Sequence, residues 1–312
     1  MRLSLADSLA HIRDQVRGEI AFDEPALTGL VQAMRSGARF PLSTFGIYSE
    51  LVLALLDADE PEQAQALLEE LACEKPIETA TPRWRLNALD APVHAPYVAL
   101  YGRLMDSGIG ASFKILPPPP DLATTYSERL VRSFKLMERV MPDLAAEFNA
   151  LVSDVLLVVG DRGAKYQFDG GSCYMLWGGL FLNATSHPDE VTMIEVMAHE
   201  TAHMLLYACA ADEALVENED DELFTSPLRV DPRPMDGIYH ATFVSARMHW
   251  AMSRLAESAL VDEAARAAAA KARESDAANF WNGYAVVAQH GRLTATGQRV
   301  MDSALAYMES QR

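Results

Sequence analysis

Basic residues are scarce in this sequence: Lys plus Arg total 26 against 44 Asp plus Glu, a formal net charge of −18. A surface that negative repels phosphates. It argues against nucleic acid or an anionic membrane as partner and leaves room only for a local basic pocket that takes a small anion. Cysteine is scarcer still. Cys73, Cys173 and Cys209 are odd in number, far apart and outside any CxxC pattern. They read as small buried hydrophobes in a reducing cytoplasm, not as disulfide halves or a zinc knuckle. No window holds about 18 consecutive apolar residues, so no transmembrane helix is expected. The opening Met1-Arg-Leu-Ser-Leu-Ala-Asp lacks the apolar stretch of a signal peptide, and the expected location is cytoplasmic. What is present is ordinary globular material: 312 residues, 50% apolar and 22% charged, enough for one large domain or two small ones.

The pattern is mainly helical. Apolar residues recur at helical spacing through 3–16, 27–34, 47–56 and 64–71. Asp59-Glu60-Pro61 marks a helix start with proline in its first turn. No second copy recurs at a fixed period, so this third is a helical bundle, not a solenoid. Pro117 to Pro120 can continue neither helix nor ladder. The expected organisation is a helical region 1–116, a proline-rich connector 117–121 and a catalytic domain 122–312. Helices resume over 122–141 and 142–152. Val155-Leu-Leu-Val-Val159 then reads as a buried strand, and 174–183 as a second, with Gly178-Gly179 marking a bulge or close approach. The fold class is mainly α with a small β-sheet (α+β), in a zincin-like arrangement around the helix described next. Further helices are expected over 263–290, packed on the helix that follows His240, and over 294–308.

That helix runs from Pro188 to about Cys209 and contains His199-Glu200-Thr201-Ala202-His203, an HExxH motif. Residues i and i+4 share one helix face, so both imidazoles can reach one ion, while Glu200 stands round the helix where it can address a bound water. Glu195, one turn before His199, is a candidate hydrogen-bond partner for a ligand histidine. A third ligand is needed. The spacing that puts histidine at position 209 fails, because Cys209 stands there. The acidic run 212–222 has no apolar stripe and reads as a solvated loop. His240 remains, at the head of a strong helical pattern. Before it lies Ser226-Pro-Leu-Arg229-Val-Asp-Pro-Arg233-Pro234, a stiff segment with two arginines that suits an anion. His199, His203 and His240 together make a three-histidine metal centre with open positions.

The HETAH helix, the Arg/Pro segment and Gly237-Ile-Tyr-His240-Ala-Thr-Phe-Val-Ser-Ala-Arg247 resemble the HExxH-motif domain family of peptide-tailoring enzymes over roughly 155–260. That family is a group of iron- and 2-oxoglutarate-dependent peptide β-hydroxylases of ribosomal-peptide biosynthesis. The resemblance implies that His199, His203 and His240 hold Fe(II). It also implies that 2-oxoglutarate chelates the iron while an arginine holds its distal carboxylate: Arg233 first, then Arg229 and Arg247. With O2, decarboxylation to succinate and carbon dioxide would accompany hydroxylation of a peptide β-carbon. Glu200, the catalytic candidate, would then orient a ligand or shape the oxygen pocket. The substrate is a peptide, either free or joined to a leader that the N-terminal third would hold. The oligomeric state is open.

Two other readings use the same residues. A zinc metallopeptidase would employ Glu200 as general base for a zinc-bound water. A non-catalytic module would use the metal only to staple two helices, although that needs a fourth protein ligand. In either enzyme reading the strand 180–183 would offer an edge to an extended peptide, with Trp177 and Phe181 flanking a side chain. The plainer alternative is a core strand. His11, His94, His187 and His249 have no partner legible in the sequence.

Overall fold

The computed structural model describes residues 2–56, 61–77, 84–107, 114–161, 169–226 and 231–312. It is mainly helical with two small sheets, an α+β protein. Two compact units divide the chain, residues 1–123 with 152–184 and residues 124–151 with 185–312.

The first unit contains α1 (Arg2–Gln15), α2 (Glu24–Arg35), α3 (Leu42–Leu56), α4 (Pro61–Cys73) and α5 (Val98–Ser107). Its strands are β1 (Arg85–Ala88), β2 (Ile115–Leu116), β3 (Asp154–Gly160), β4 (Gly170–Ser172) and β5 (Gly179–Asn183). The sheet order is β1-β3-β5-β4, parallel except for β4, and β2 pairs antiparallel with the far end of β3. The β1–β3 ladder, Arg85 opposite Asp154 through Ala88 opposite Leu157, ties the segment 152–184 to the N-terminal helices. The expected boundary at 117–121 puts that segment with the catalytic domain, whereas its ladder partner is a four-residue strand 69 residues earlier, too short to announce itself.

The strand expected over 174–183 is shorter than its apolar run. Tyr174–Leu176 form a 3-10 turn, and the ladder begins only at Gly179. The glycine pair there has a cause in packing. Gly178 takes a φ of 87°, and a Cβ on Gly179 would fall 2.7 Å from the Leu42 side chain. Leu42, Tyr101, Leu156, Val158, Leu176 and Phe181 form this core. β5 is therefore a core strand: all five residues are buried and both its edges are paired. It offers no edge to a peptide, which corrects that expectation. Phe181 instead meets the Tyr101 ring edge-on at 5.9 Å. The proline stretch is likewise half used: Ile115-Leu116 join the ladder before it, and Pro120 opens the next helix.

The second unit follows from α6 (Pro120–Val140), whose first turn precedes it, with α7 (Pro142–Leu151), α8 (Glu190–Cys209), α9 (Met235–Ala256), α10 (Glu263–His290) and α11 (Ala295–Ser310). A two-stranded ribbon, β6 (Leu223–Phe224) with β7 (Arg233–Pro234), precedes α9. Helix starts are set by local chemistry. Asp189 and Thr192 form a reciprocal capping box on α8, Asp262 caps α10 through the Ala265 amide, and Thr294 caps α11 through that of Gly297. α9 and α10 pack against each other, as expected of the helix over 263–290. Leu206, Ile238, Tyr239, Val244, Phe280 and Val287 are the centre of this unit's core. The acidic loop 212–222 is largely exposed as expected. It is also pinned, since Arg292 binds Glu222 at 2.6 Å and holds its carboxyl down at about 2.

Candidate metal centre

α8 presents His199, His203 and Tyr207 along one face, each a turn from the last. α9 brings His240 to the same place from its second turn. All three predicted metal ligands therefore stand together, in a row. His199 Nε2 lies 3.1 Å from His203 Nε2, and His203 Nδ1 lies 3.0 Å from His240 Nδ1. The imidazoles of His203 and His240 stack at 5.3 Å, with Tyr207 against both, at 6.4 and 5.5 Å. Tyr207 has no place in the motif; its spacing of four from His203 is the one signal that would have found it.

His199 Nδ1 lies 3.4 Å from Met248 Sδ, and His240 Nε2 lies 3.8 Å from Asp236 Oδ1. Each of the two His–His contacts is of hydrogen-bond length, its direction set by the tautomers of the rings. Burial disfavours charge on the His203 and His240 rings. It pushes His203 well below the usual histidine range, helped by its two imidazole neighbours, and it lowers His240 as well, against the pull of Asp236.

The 3.1 Å between His199 Nε2 and His203 Nε2 is a hydrogen-bond distance, and a cation held by both atoms would replace that bond. The separation falls between the spans of about 3.0 and about 3.4 Å that metal–nitrogen bonds of 2.1 Å subtend at octahedral and tetrahedral angles. His199 and His203 fit one ion as they stand. His240 meets the opposite nitrogen of His203, so it joins the same ion only once an imidazole turns. Accordingly, among the described residues no three His, Cys, Asp or Glu side chains stand ready-made around one point. The donor set nevertheless suits a divalent transition metal, being three imidazoles.

Glu200 is buried, with Oε1 3.9 Å from His199 Nε2, on the inner side of α8. Glu195 makes no hydrogen bond to a histidine among the described residues. Burial raises its carboxyl, and its charge bears instead on Asp276 of α10. Of the arginines, Arg233 ends the ribbon just before α9. Its Nη2 binds Asp231 at 2.8 Å, while its buried Nε has no partner, a fork with one prong unused. Arg247 lies two turns beyond His240 and is bound to Glu147 at 2.5 Å. Arg229 lies outside the described residues.

The other histidines have local duties. His187, at a φ of 54°, takes Tyr126 on its ring at 2.8 Å and Arg129 on its carbonyl at 2.8 Å, holding the approach to α8. His249 meets the Tyr307 hydroxyl at 2.8 Å. In the first unit His94 is buried beside Tyr101 and stands 3.9 Å from Asp154, the carboxylate that Arg85 binds. The cysteines divide: Cys173 and Cys209 are half-buried, but Cys73 is exposed, contrary to its expected core role. No protein-family model matches the chain, and no curated protein is similar to it.

Proposed function

We propose that the chain is an Fe(II)- and 2-oxoglutarate-dependent oxygenase that hydroxylates the β-carbon of a residue in a ribosomally made peptide. The observation that carries the reading is the row of three imidazoles on α8 and α9, with His199 and His203 3.1 Å apart and His203 and His240 3.0 Å apart. The resemblance of the same segment to the HExxH-motif family selects the chemistry. Iron at those nitrogens would supply oxygen activation, with 2-oxoglutarate as the reductant that loses carbon dioxide.

The protein's own contributions are positional. Met248 lies against His199 Nδ1, Asp236 stands near His240 Nε2, and Tyr207 packs on the His203 and His240 rings. Arg233 suits the distal carboxylate of the keto acid, because a guanidinium with one prong unused can accept a carboxylate beside Asp231. Glu200, buried against His199, orients that ligand. A zincin-like seat for the HExxH helix beside a sheet, a cytoplasmic setting and a leader-bearing peptide belong to the same proposal. Among the described residues no helix is long and apolar enough to cross a membrane.

Succinate release tests it. Fe(II)-loaded protein with 2-oxoglutarate in air should form succinate, His203→Ala should form none, and Glu200→Gln should retain a measurable fraction. The peptidase reading predicts the reverse: zinc-loaded protein that cleaves peptides, with Glu200→Gln silent. Its support is the buried Glu200 next to His199, where a general base for a metal-bound water would stand.

A further inference from the structure

The segment that joins β1 to α5 is fastened to the first unit by one side chain. Of residues 90–96 only His94 is buried, at 1% exposure, and five of the other six are exposed. The segment's backbone bonds are local: the His94 amide donates to the Ala91 carbonyl at 2.8 Å, and the Tyr97 amide to that of His94 at 2.8 Å. Apart from the His94 ring, residues 90–96 make no hydrogen bond or ion pair beyond the span 88–97 among the described residues.

What surrounds the imidazole decides when this anchor holds. The carboxylate of Asp154, on β3, is already taken: Oδ1 by the Arg85 guanidinium of β1 at 2.7 Å, Oδ2 by the Ser153 hydroxyl at 3.2 Å. His94 Nε2 stands off from Oδ1 at 3.9 Å and makes no hydrogen bond among the described residues. Its Nδ1 faces the Tyr101 hydroxyl of α5 at 3.4 Å. Tyr101 is itself fully buried. Glu74, just past α4, is held by the Ser43 and Thr44 hydroxyls, with the Tyr97 hydroxyl at 3.5 Å. A neutral ring suits this seat. A proton on it would add a buried cation where Arg85 already balances Asp154. Burial, the larger influence, and Arg85 both lower the ring's proton affinity, against the pull of Asp154.

We propose that His94 is an acid-released latch: protonation expels its imidazole from beside Arg85 and Asp154 and frees residues 90–97, while the β3–β5 ladder stays formed. The open segment takes up the proton near the ordinary histidine value of about 6.5, and the closed seat does not. The closed state is therefore fully favoured above that value and loses ground as pH falls below it. The open fraction should rise about tenfold between pH 7.5 and pH 5.5. The latch lies within the first unit and does not depend on the oxygenase reading.

Hydrogen exchange on the full chain, corrected for the intrinsic rate at each pH, tests it. Protection of the His94, Ala95 and Tyr97 amides should fall about tenfold from pH 7.5 to pH 5.5, and that of the β3–β5 ladder should hold. Neither His94→Gln nor His94→Phe can take up the proton. In whichever variant keeps the ladder protected, the segment's protection should be the same at both pH values. Equal wild-type protection at the two pH values overturns the proposal. So does a loss shared by the ladder, which is unfolding of the whole unit, or a loss that persists in a folded variant.

Discussion

Asp276→Asn tests the electrostatics of the helical unit most sharply. Asp276 of α10 is 3% exposed, its Oδ2 has no hydrogen-bond partner, and burial, with Glu195 adding, pushes its carboxyl up to about 8. The unfolded chain holds the same group near 4, so between pH 4 and pH 8 the folded protein binds one more proton than the unfolded one. Stability from this group is therefore greatest at low pH. It declines as pH rises through that window and levels off above about 8. Asparagine mimics the protonated carboxyl and cannot ionise. The variant should gain on the wild type as pH rises, by roughly 3 kcal/mol between pH 5 and pH 7, a little over 1 kcal/mol per pH unit. Urea unfolding of the metal-free proteins at intervals from pH 5 to 8.5 measures this gap directly. Parallel stability profiles for the two proteins would refute the reasoning, because they would mean that Asp276 ionises as freely folded as unfolded.

Other consequences are simpler. A Cβ on Gly297 would lie 1.9 Å from the Leu215 carbonyl oxygen, so Gly297→Ala must shift backbone at the start of α11. It should cost about 3 kcal/mol or more by chemical denaturation; a loss under 1 kcal/mol would show that the contact yields easily. Asp154 is fully buried with Arg85 bound at 2.7 Å, so Asp154→Ala strands a guanidinium beside His94. A loss of about 3–5 kcal/mol is expected, and urea midpoints check it. Removing Tyr207 by Tyr207→Ala should leave the fold intact while loosening the imidazole stack. Metal affinity should fall about tenfold or more in calorimetric titration, and an unchanged affinity would remove Tyr207 from the site.

What the sequence disclosed and what it withheld follow from range. The helix of His199 and His203 is announced by the Pro188-Asp189-Glu190 start, although Asp189 is its cap and the helix begins at Glu190. His240 stands at the head of the next strong pattern, so the meeting of three imidazoles was legible. Tyr207 was hidden because only the face, not the motif, includes it. The ion pair of Arg247 with Glu147 spans 100 residues and leaves no local trace. The same holds for Asp276, which looks on paper like one more acid on an alanine-rich helix. β1 and β4, four and three residues long, are too short to register as strands. Without them the sequence could not reveal that β5 is paired on both sides, or that 152–184 belongs with the N-terminal helices.

The central claim is that three histidines hold an iron that accepts 2-oxoglutarate. The most direct measurement is the anaerobic visible spectrum of apo-protein given Fe(II) and then 2-oxoglutarate. Chelation of the keto acid should raise a weak metal-to-ligand charge-transfer band that is absent in His240→Ala and weakened in Arg233→Ala. No band, with tight zinc binding and Glu200-dependent peptide hydrolysis in its place, would contradict the account.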